Sequence, residues 1–245
     1  MQYHLDTIPV WEALEKDTPC LFCAMHAKLE EQQIERSLGG SVMEPDERVR
    51  VNAIGICDRH HNQLFQMKNR LGHALMTDTR SMEVITQLEK LERKAASPVK
   101  KGLFSKGDDS SIAAELRRII SGCVICNEID ASMMRYYYTF VHLWKTDSSF
   151  RRKWEASKGM CIPHAAMVMD MAQSQLSGSK QTEFNKAVIH QLKECLIQDE
   201  ADLNWFTLKF DYRNHDKPWG NSRDALERTA NRLRGECIKS DAPKT

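Results

Sequence analysis

The 245-residue chain contains no apolar run approaching the roughly 18–20 residues that a membrane-spanning helix needs, which argues against an integral membrane protein. Its opening residues, Met1-Gln2-Tyr3-His4-Leu5-Asp6, lack the basic start and apolar stretch of a secretory leader, so a cytoplasmic location is expected. Glycine and proline are scarce, at 11 and 7 residues, and no segment keeps the strict apolar alternation of a half-buried strand. Net charge is nearly absent, with 35 basic against 34 acidic residues. That balance removes any global pull toward nucleic acid or an anionic membrane and leaves only local patches to consider. Also missing are a phosphate-binding Walker loop, a dinucleotide-binding glycine motif and a nucleophile elbow, so the familiar nucleotide-dependent and hydrolase chemistries have no anchor here.

What is present is a 3.6-residue apolar period in long segments, and hydrophobic residues at 41% are sufficient to build a core. The pattern predicts an all-α protein with helices at about 8–16, 21–38, 45–54, 58–76 and 80–95 in the first half. In the second half helices are expected at about 112–120, 124–145, 147–158, 162–176, 181–209 and 222–234. Residues 96–111 (AASPVKKGLFSKGDDS) mix Pro, Gly, Ser and charge without a period and read as a linker. A polar-aromatic loop at 211–222 precedes the last helix, which Asn221 or Ser222 would cap and Gly235 would end. The expected organisation is therefore a first repeat at 1–95, the linker at 96–111, a second repeat at 112–210, and a C-terminal loop, helix and tail at 211–245.

The eight cysteines carry the chemistry. A cytosolic thiol pool disfavours structural disulfides, and cysteines paired at short spacing there point to a metal. Cys20-Leu-Phe-Cys23 opens one predicted helix, and Gly55-Ile56-Cys57-Asp58-Arg59-His60 opens another. In the second half Cys123-Val-Ile-Cys126 and Gly159-Met160-Cys161-Ile162-Pro163-His164 repeat both features. Cys23 and Cys57 are 34 positions apart, Cys126 and Cys161 are 35 apart, and the matched spacing reads as an internal duplication. Cys-x-x-Cys at a helix start presents two sulfurs to one ion, and a second pair from a distant segment completes a tetrahedron. The positive end of each helix dipole favours the thiolates.

This reasoning predicts two structural zinc ions, each held by three cysteines and one histidine drawn from Cys20, Cys23, Cys57, His60, Cys123, Cys126, Cys161 and His164. Aligning the halves sets His60 against His164, and His61 against Ala165, so His60 takes the ligand role. His26 falls opposite Ile129 and is not expected to ligate, while Cys195 and Cys237 read as small buried residues in helices. Two pairings stay open. Each repeat can close its own site, or Cys20 and Cys23 can join Cys161 and His164 and tie the halves together. An iron–sulfur cluster is the alternative cofactor, kept open by the Cys57-Asp58-Arg59-His60 run. Four good ligands per site argue for a closed, structural centre rather than a catalytic one.

Residues 202–220 concentrate aromatics and charge. Trp205, Phe206, Tyr212, Arg213 and Trp219 are candidates for a partner-binding surface, although helical spacing also fits Trp205, Phe206 and Phe210 as core. The segment from Met133 to Trp144 reads as core. With the Cys and His motifs and the tail Lys209-Phe-Asp-Tyr-Arg-Asn214, Pro218-Trp-Gly220 and Asp224-Ala225-Leu226, the chain resembles an uncharacterised bacterial family of unknown function. Its members are sometimes labelled ABC transporter substrate-binding proteins. The resemblance implies a bacterial protein and brings no catalytic residues. The transporter label does not suit a sequence without a leader or an α/β pattern.

No catalytic residue is singled out. The expected role is a non-enzymatic, zinc-binding scaffold or adaptor with a protein partner and no membrane attachment. A zinc-dependent nucleic-acid-binding protein is the first alternative, because Arg48, Arg50, Arg151, Arg152 and Lys153 repeat beside both knuckles. A metal- or redox-responsive enzyme or sensor is the second.

Overall fold

A computed structural model describes residues 5–96 and 111–238. The described residues form eleven α-helices with short 3₁₀ turns, and no strand occurs among them. The helices are α1 (Thr7–Glu15), α2 (Leu21–Leu38), α3 (Pro45–Ile54), α4 (Asp58–Gln66), α5 (Arg70–Ala95) and α6 (Ile112–Ile120). They continue with α7 (Val124–Thr146), α8 (Ser148–Glu155), α9 (Ile162–Gln175), α10 (Gly178–Leu208) and α11 (Ala225–Arg234). Most of the expected linker, residues 97–110, lies outside the described residues. No described helix is long and apolar enough to cross a membrane.

The chain divides into two compact units, Met1–Lys28 with Ser132–Thr245, and Leu29–Ala131. Both boundaries fall inside helices, after the second turn of α2 and after the second turn of α7.

The first unit is built on aromatic packing. Phe22, Phe140, Phe150, Trp144, Trp154 and Phe184 are all essentially removed from solvent. Phe140 meets Phe22 at 5.4 Å, Phe150 at 5.4 Å and Trp154 at 5.6 Å between ring centroids, the last two edge to face. Trp144 meets Phe184 edge to face at 4.8 Å. Fully burying one such ring contributes about 2–3 kcal/mol, and this geometry adds up to about 1 kcal/mol per pair. The stretch from Met133 to Trp144 is core, with Met133, Tyr137, Phe140 and Trp144 all buried. Along α10 the inward stripe passes from apolar to polar, from Phe184 and Val188 to Gln191, Cys195 and Asp199. That change coincides with its meeting the loop before Cys161 and helix α11.

The second unit has an aliphatic core from Leu29, Ile34, Leu38, Val42, Val51, Leu64, Met76, Leu91, Ile125 and Ile129.

Several expected boundaries move. The helix expected at 58–76 breaks at 67–69, and the one expected at 80–95 begins at Arg70. Lys68 adopts a left-handed backbone (φ 63°), and the Asn69 side chain accepts from the Gly72 N–H at 3.0 Å, starting a new helix. The Thr77-Asp78-Thr79 cluster resembles a helix start, yet Thr77 and Thr79 donate to the His73 and Leu75 carbonyls and the helix runs on. The last helix starts at Ala225 rather than 222, because Ser222 donates to the Trp219 carbonyl and closes a 3₁₀ turn instead of capping α11. Gly235 (φ 82°) ends α11 as expected.

Candidate metal centres

All eight expected ligands converge, four at a time. Cys20, Cys23, Cys161 and His164 form one group and Cys57, His60, Cys123 and Cys126 the other, with all donor atoms of a group within 4.8 Å of one another. The crossed pairing is therefore the one adopted. Each Cys-x-x-Cys from one half of the sequence meets the Gly-x-Cys-x-x-His of the other, and each complete set lies within one compact unit. His26 and His61 belong to neither group.

Local structure explains the convergence. Cys57 and Cys161 are the N-cap residues of α4 and α9, with nearly identical backbones (φ −77°, ψ 166° and φ −77°, ψ 162°). His60 and His164 follow in the first helical turn, so Cys and His point the same way. Gly55 (φ 93°) and Gly159 (φ 75°) supply the left-handed residue that turns the chain into each knuckle. Cys20 and Cys123 immediately precede α2 and α7, and Cys23 and Cys126 lie in their first turns. Each group thus sits where two helix N-termini meet, and the exposed N–H dipoles favour negative charge there.

The distances fit a single tetrahedral ion. In the first group Cys161 Sγ is 3.7 Å from Cys20 Sγ and 3.8 Å from Cys23 Sγ, while His164 Nδ1 is 3.0–3.4 Å from the three sulfurs. In the second, Cys57 Sγ to Cys126 Sγ is 3.9 Å and His60 Nδ1 lies 3.2–3.4 Å from all three sulfurs. A tetrahedral ion with bonds of about 2.3 Å to sulfur and about 2.0 Å to nitrogen has S···S edges of roughly 3.8 Å and S···N edges of roughly 3.5 Å. These sulfurs are also unbridged, since a disulfide would bring two of them to about 2.0 Å.

The electrostatics show what such a group requires. Burial opposes ionisation of Cys20, but hydrogen bonds with Cys161, Cys23 and His164 outweigh it and hold the thiol well below its ordinary value. Cys23 is driven up, first by its hydrogen bonds with Cys161 and Cys20 and then by burial. His164 rises to about 9: burial opposes the cation, but the hydrogen bonds it donates to Cys161 and Cys20 prevail. In the second group burial works against Cys123, yet the hydrogen bond from His60 brings it down to about 6, whereas burial and then the Cys123 charge push Cys126 up to about 12. One sulfur in each group ionises readily and another resists, so a cation at the centre would let all three ionise together.

The surroundings differ between the groups. Behind His60, Nε2 lies 3.2 Å from Glu30 Oε1, and Arg59 holds the same carboxylate at 2.7 Å. Burial opposes ionisation of Glu30, but a hydrogen bond from Gln63 and the charge of Arg59 bring it below its usual value. His164 instead packs between Phe22 and Tyr137, at 5.7 and 6.0 Å between ring centroids. Gly122 allows the chain before Cys123 to approach α3, since a Cβ there would lie 2.7 Å from the Ile54 carbonyl oxygen. Sequence reasoning did not find Glu30. Aligned on the Cys-x-x-Cys motifs it falls opposite Met133, so the resemblance between halves carries no signal for it.

Other expectations fare unevenly. Cys195 is half-buried on α10, but Cys237 is exposed beyond α11 rather than buried in a helix. Its thiol faces the Ala230 carbonyl and the Asn231 side chain instead of a core. Trp205, Phe206 and Trp219 are half-buried, Phe210 and Tyr212 are 75% and 87% exposed, and Arg213 is exposed and paired with Asp211. The loop is organised by the buried Lys209, whose ammonium donates to the Asn214 and His215 carbonyls at 2.7 Å and to that of Lys217 at 2.5 Å. Among the basic residues beside the knuckles, Arg50 pairs with Glu47 and Glu128, Arg151 with Glu183, and Lys153 with Glu15.

A family model described as a family of unknown function, DUF6062, matches residues 1–240. No curated protein and no solved structure matches the chain.

Proposed function

The chain belongs to the DUF6062 family, and from its geometry we propose that it is a zinc-stapled helical scaffold that docks a protein partner. The observation that carries this reading is the division of eight donors into two closed sets of three sulfurs and one nitrogen, each gathered within 4.8 Å, compact enough for one tetrahedral ion. Closure matters because a catalytic zinc keeps a position for water or substrate, whereas four protein ligands complete the shell. Donors shared by one ion also stand closer together than donors divided between the irons of a cluster, which favours zinc over an iron–sulfur centre. The matched knuckle backbones support a duplicated unit whose two copies exchange their Cys-x-x-Cys helices. The free thiols suit a reducing compartment such as the cytoplasm.

For the partner, the support is the loop after α10. Phe210 and Tyr212 stand in solvent on a segment pinned by Lys209, and an aromatic surface ordered in advance loses little entropy on docking. Of the five basic residues beside the knuckles, Arg50, Arg151 and Lys153 pair with carboxylates, which weakens a nucleic-acid reading.

Elemental analysis and an absorption spectrum of the purified full chain test the metal reading. Two zinc ions per chain and no visible colour are expected, with cobalt replacement giving the intense bands of a tetrahedral sulfur-rich site. A brown preparation, or a folded chain without metal, overturns it. For the partner, a photoreactive residue at Tyr212 should cross-link one protein whose binding is lost in Phe210→Ala at unchanged metal content.

A further inference from the structure

One guanidinium stands behind each ligand set. Arg80 on α5 donates to the carbonyl of Asn52 and, at 2.7 Å, to that of Ile119. Asn52 lies in the last turn of α3, on the way to Gly55 and Cys57, and Ile119 lies at the end of α6, just before Gly122 and Cys123. The two segments that deliver Cys57 and Cys123 are thus held by a single planar cation. Its Nε and one terminal nitrogen also lie 3.5 Å from where a Cβ on Gly55 would stand.

Arg232 on α11 does the same for the other set. One of its terminal nitrogens donates to the carbonyls of Lys158 at 2.9 Å and of Pro19 and Met160 at 3.3 Å each. Pro19 immediately precedes Cys20, and Met160 immediately precedes Cys161. The side chain is buried, and its Nε donates to the buried carboxylate of Asp199, which Arg228 also holds at 2.8 Å. Arg228 in turn spans Asp202 and Asp224.

Two unrelated stretches of sequence have arrived at one solution. A guanidinium offers several donors in a fixed plane and stays charged, so it can gather carbonyls from two segments at once. Its charge also counts. Three thiolates and a neutral imidazole around a divalent ion leave a net −1, and a partly desolvated cation behind the site offsets it. Helix C-termini, which Arg80 caps, favour a cation for the same reason.

We propose that Arg80 and Arg232 are positioning residues for metal binding, each setting the affinity of its own site by fixing the backbone that carries the ligands. The inference rests on the metal reading above, and the experiment separates the two. In full-length chain carrying Cys23→Ser, only the Cys57, His60, Cys123 and Cys126 set remains intact; in Cys126→Ser, only the other set remains. Zinc affinity of the remaining site is then measured by chelator competition. Adding Arg80→Met to the first background, or Arg232→Met to the second, is expected to weaken zinc binding about 10–100-fold, the usual effect of losing an outer-sphere partner. Arg80→Lys should recover part of that loss, because charge returns without the second donor direction. Each substitution in the opposite background should leave affinity unchanged.

Should Arg232→Met prevent folding, Asp199→Asn replaces it, removing the carboxylate that holds the guanidinium, with the same site-restricted loss expected. Unchanged affinity in the matched backgrounds, or equal weakening of both sites by each substitution, overturns the inference and leaves the metal reading standing. Wild-type chain that binds no zinc overturns both.

Discussion

The Nε2 of His60 and the Oε1 of Glu30 lie 3.2 Å apart, so the imidazole whose Nδ1 faces three sulfurs has a carboxylate behind it. That arrangement fixes the tautomer and the orientation of the ring. Arg59 keeps the carboxylate in place and ionised. The Glu30→Gln variant is therefore expected to lose about 10–100-fold in metal affinity at the site of His60. The site of His164, packed against Phe22 and Tyr137, should be untouched. Chelator competition on the two single-site backgrounds measures this, and equal loss at both sites would count against it.

Much of this centre could be read from the chain, and the limit has a physical cause. Ligand identity is local. Cys-x-x-Cys and Cys-x-x-His work because one helical turn brings the two donors to the same side, and glycine at positive φ marks the entry. Choosing His60 over its neighbour His61 needed only the comparison of halves. Pairing is not local, so both alternatives stayed open until tertiary structure joined Cys20 to Cys161 and Cys57 to Cys126. Glu30, Arg80 and Arg232 are further from reach, because what matters about them is which carbonyl or imidazole they meet across the fold. The helix break at Lys68 escaped for a similar reason. It depends on a backbone angle and an Asn69 cap that apolar periodicity does not register.

Gly122 should resist replacement on steric grounds alone. A methyl group there would meet the Ile54 carbonyl oxygen at 2.7 Å and its Cγ2 at 2.8 Å, so either the chain before Cys123 or the end of α3 must shift. Gly122→Ala is expected to cost about 1–3 kcal/mol, in the range of overpacked sites. Gly40→Ala is the control, since nothing lies within 4 Å of its Cβ position. Chemical denaturation of the metal-loaded variants checks the difference, and equal midpoints would refute it.

Metal removal should act unit by unit. A structural zinc site contributes on the order of 10 kcal/mol or more, comparable with the whole stability of an ordinary domain. Cys161→Ser is expected to abolish slow amide exchange around Phe22 and Phe140, in the unit that contains its site. Leu64 and Met76, in the other unit, should keep their protection. Cys57→Ser should give the reverse pattern. Hydrogen exchange by mass spectrometry distinguishes this from uniform loosening of the whole chain.

Lys209 gives the aromatic loop its shape, and that assignment is open to a direct test. Its ammonium is buried against three carbonyls, from Asn214, His215 and Lys217, and lies 5.1 Å from the Trp219 ring centroid. In Lys209→Met the apolar stem survives but those carbonyls lose their donor, at a cost of about 1–3 kcal/mol. The loop should loosen, with red-shifted and more easily quenched Trp219 emission in a chain whose other tryptophans are replaced by phenylalanine. Metal content should stay at its wild-type level. Unaltered emission would mean that the aromatic contacts alone hold the segment.

A pH effect follows from the imidazoles of His61 and His73, stacked with Nδ1 and Nε2 2.9 Å apart. Burial, followed by the charge of Arg70, holds His73 below its ordinary value, and burial followed by His73 does the same to His61. In the unfolded chain both take up protons near pH 6.5. A histidine with a depressed folded pKa contributes stability that is complete above the unfolded value. That stability is lost as pH falls, because the unfolded state binds the proton first. Stability should therefore decline from about pH 7 toward pH 5, more steeply in wild type than in His73→Gln. Denaturation midpoints of the two proteins, both kept metal-saturated, should separate above pH 7 and draw together in acid. Parallel curves across that range would mean that the pair titrates as it does in the unfolded chain.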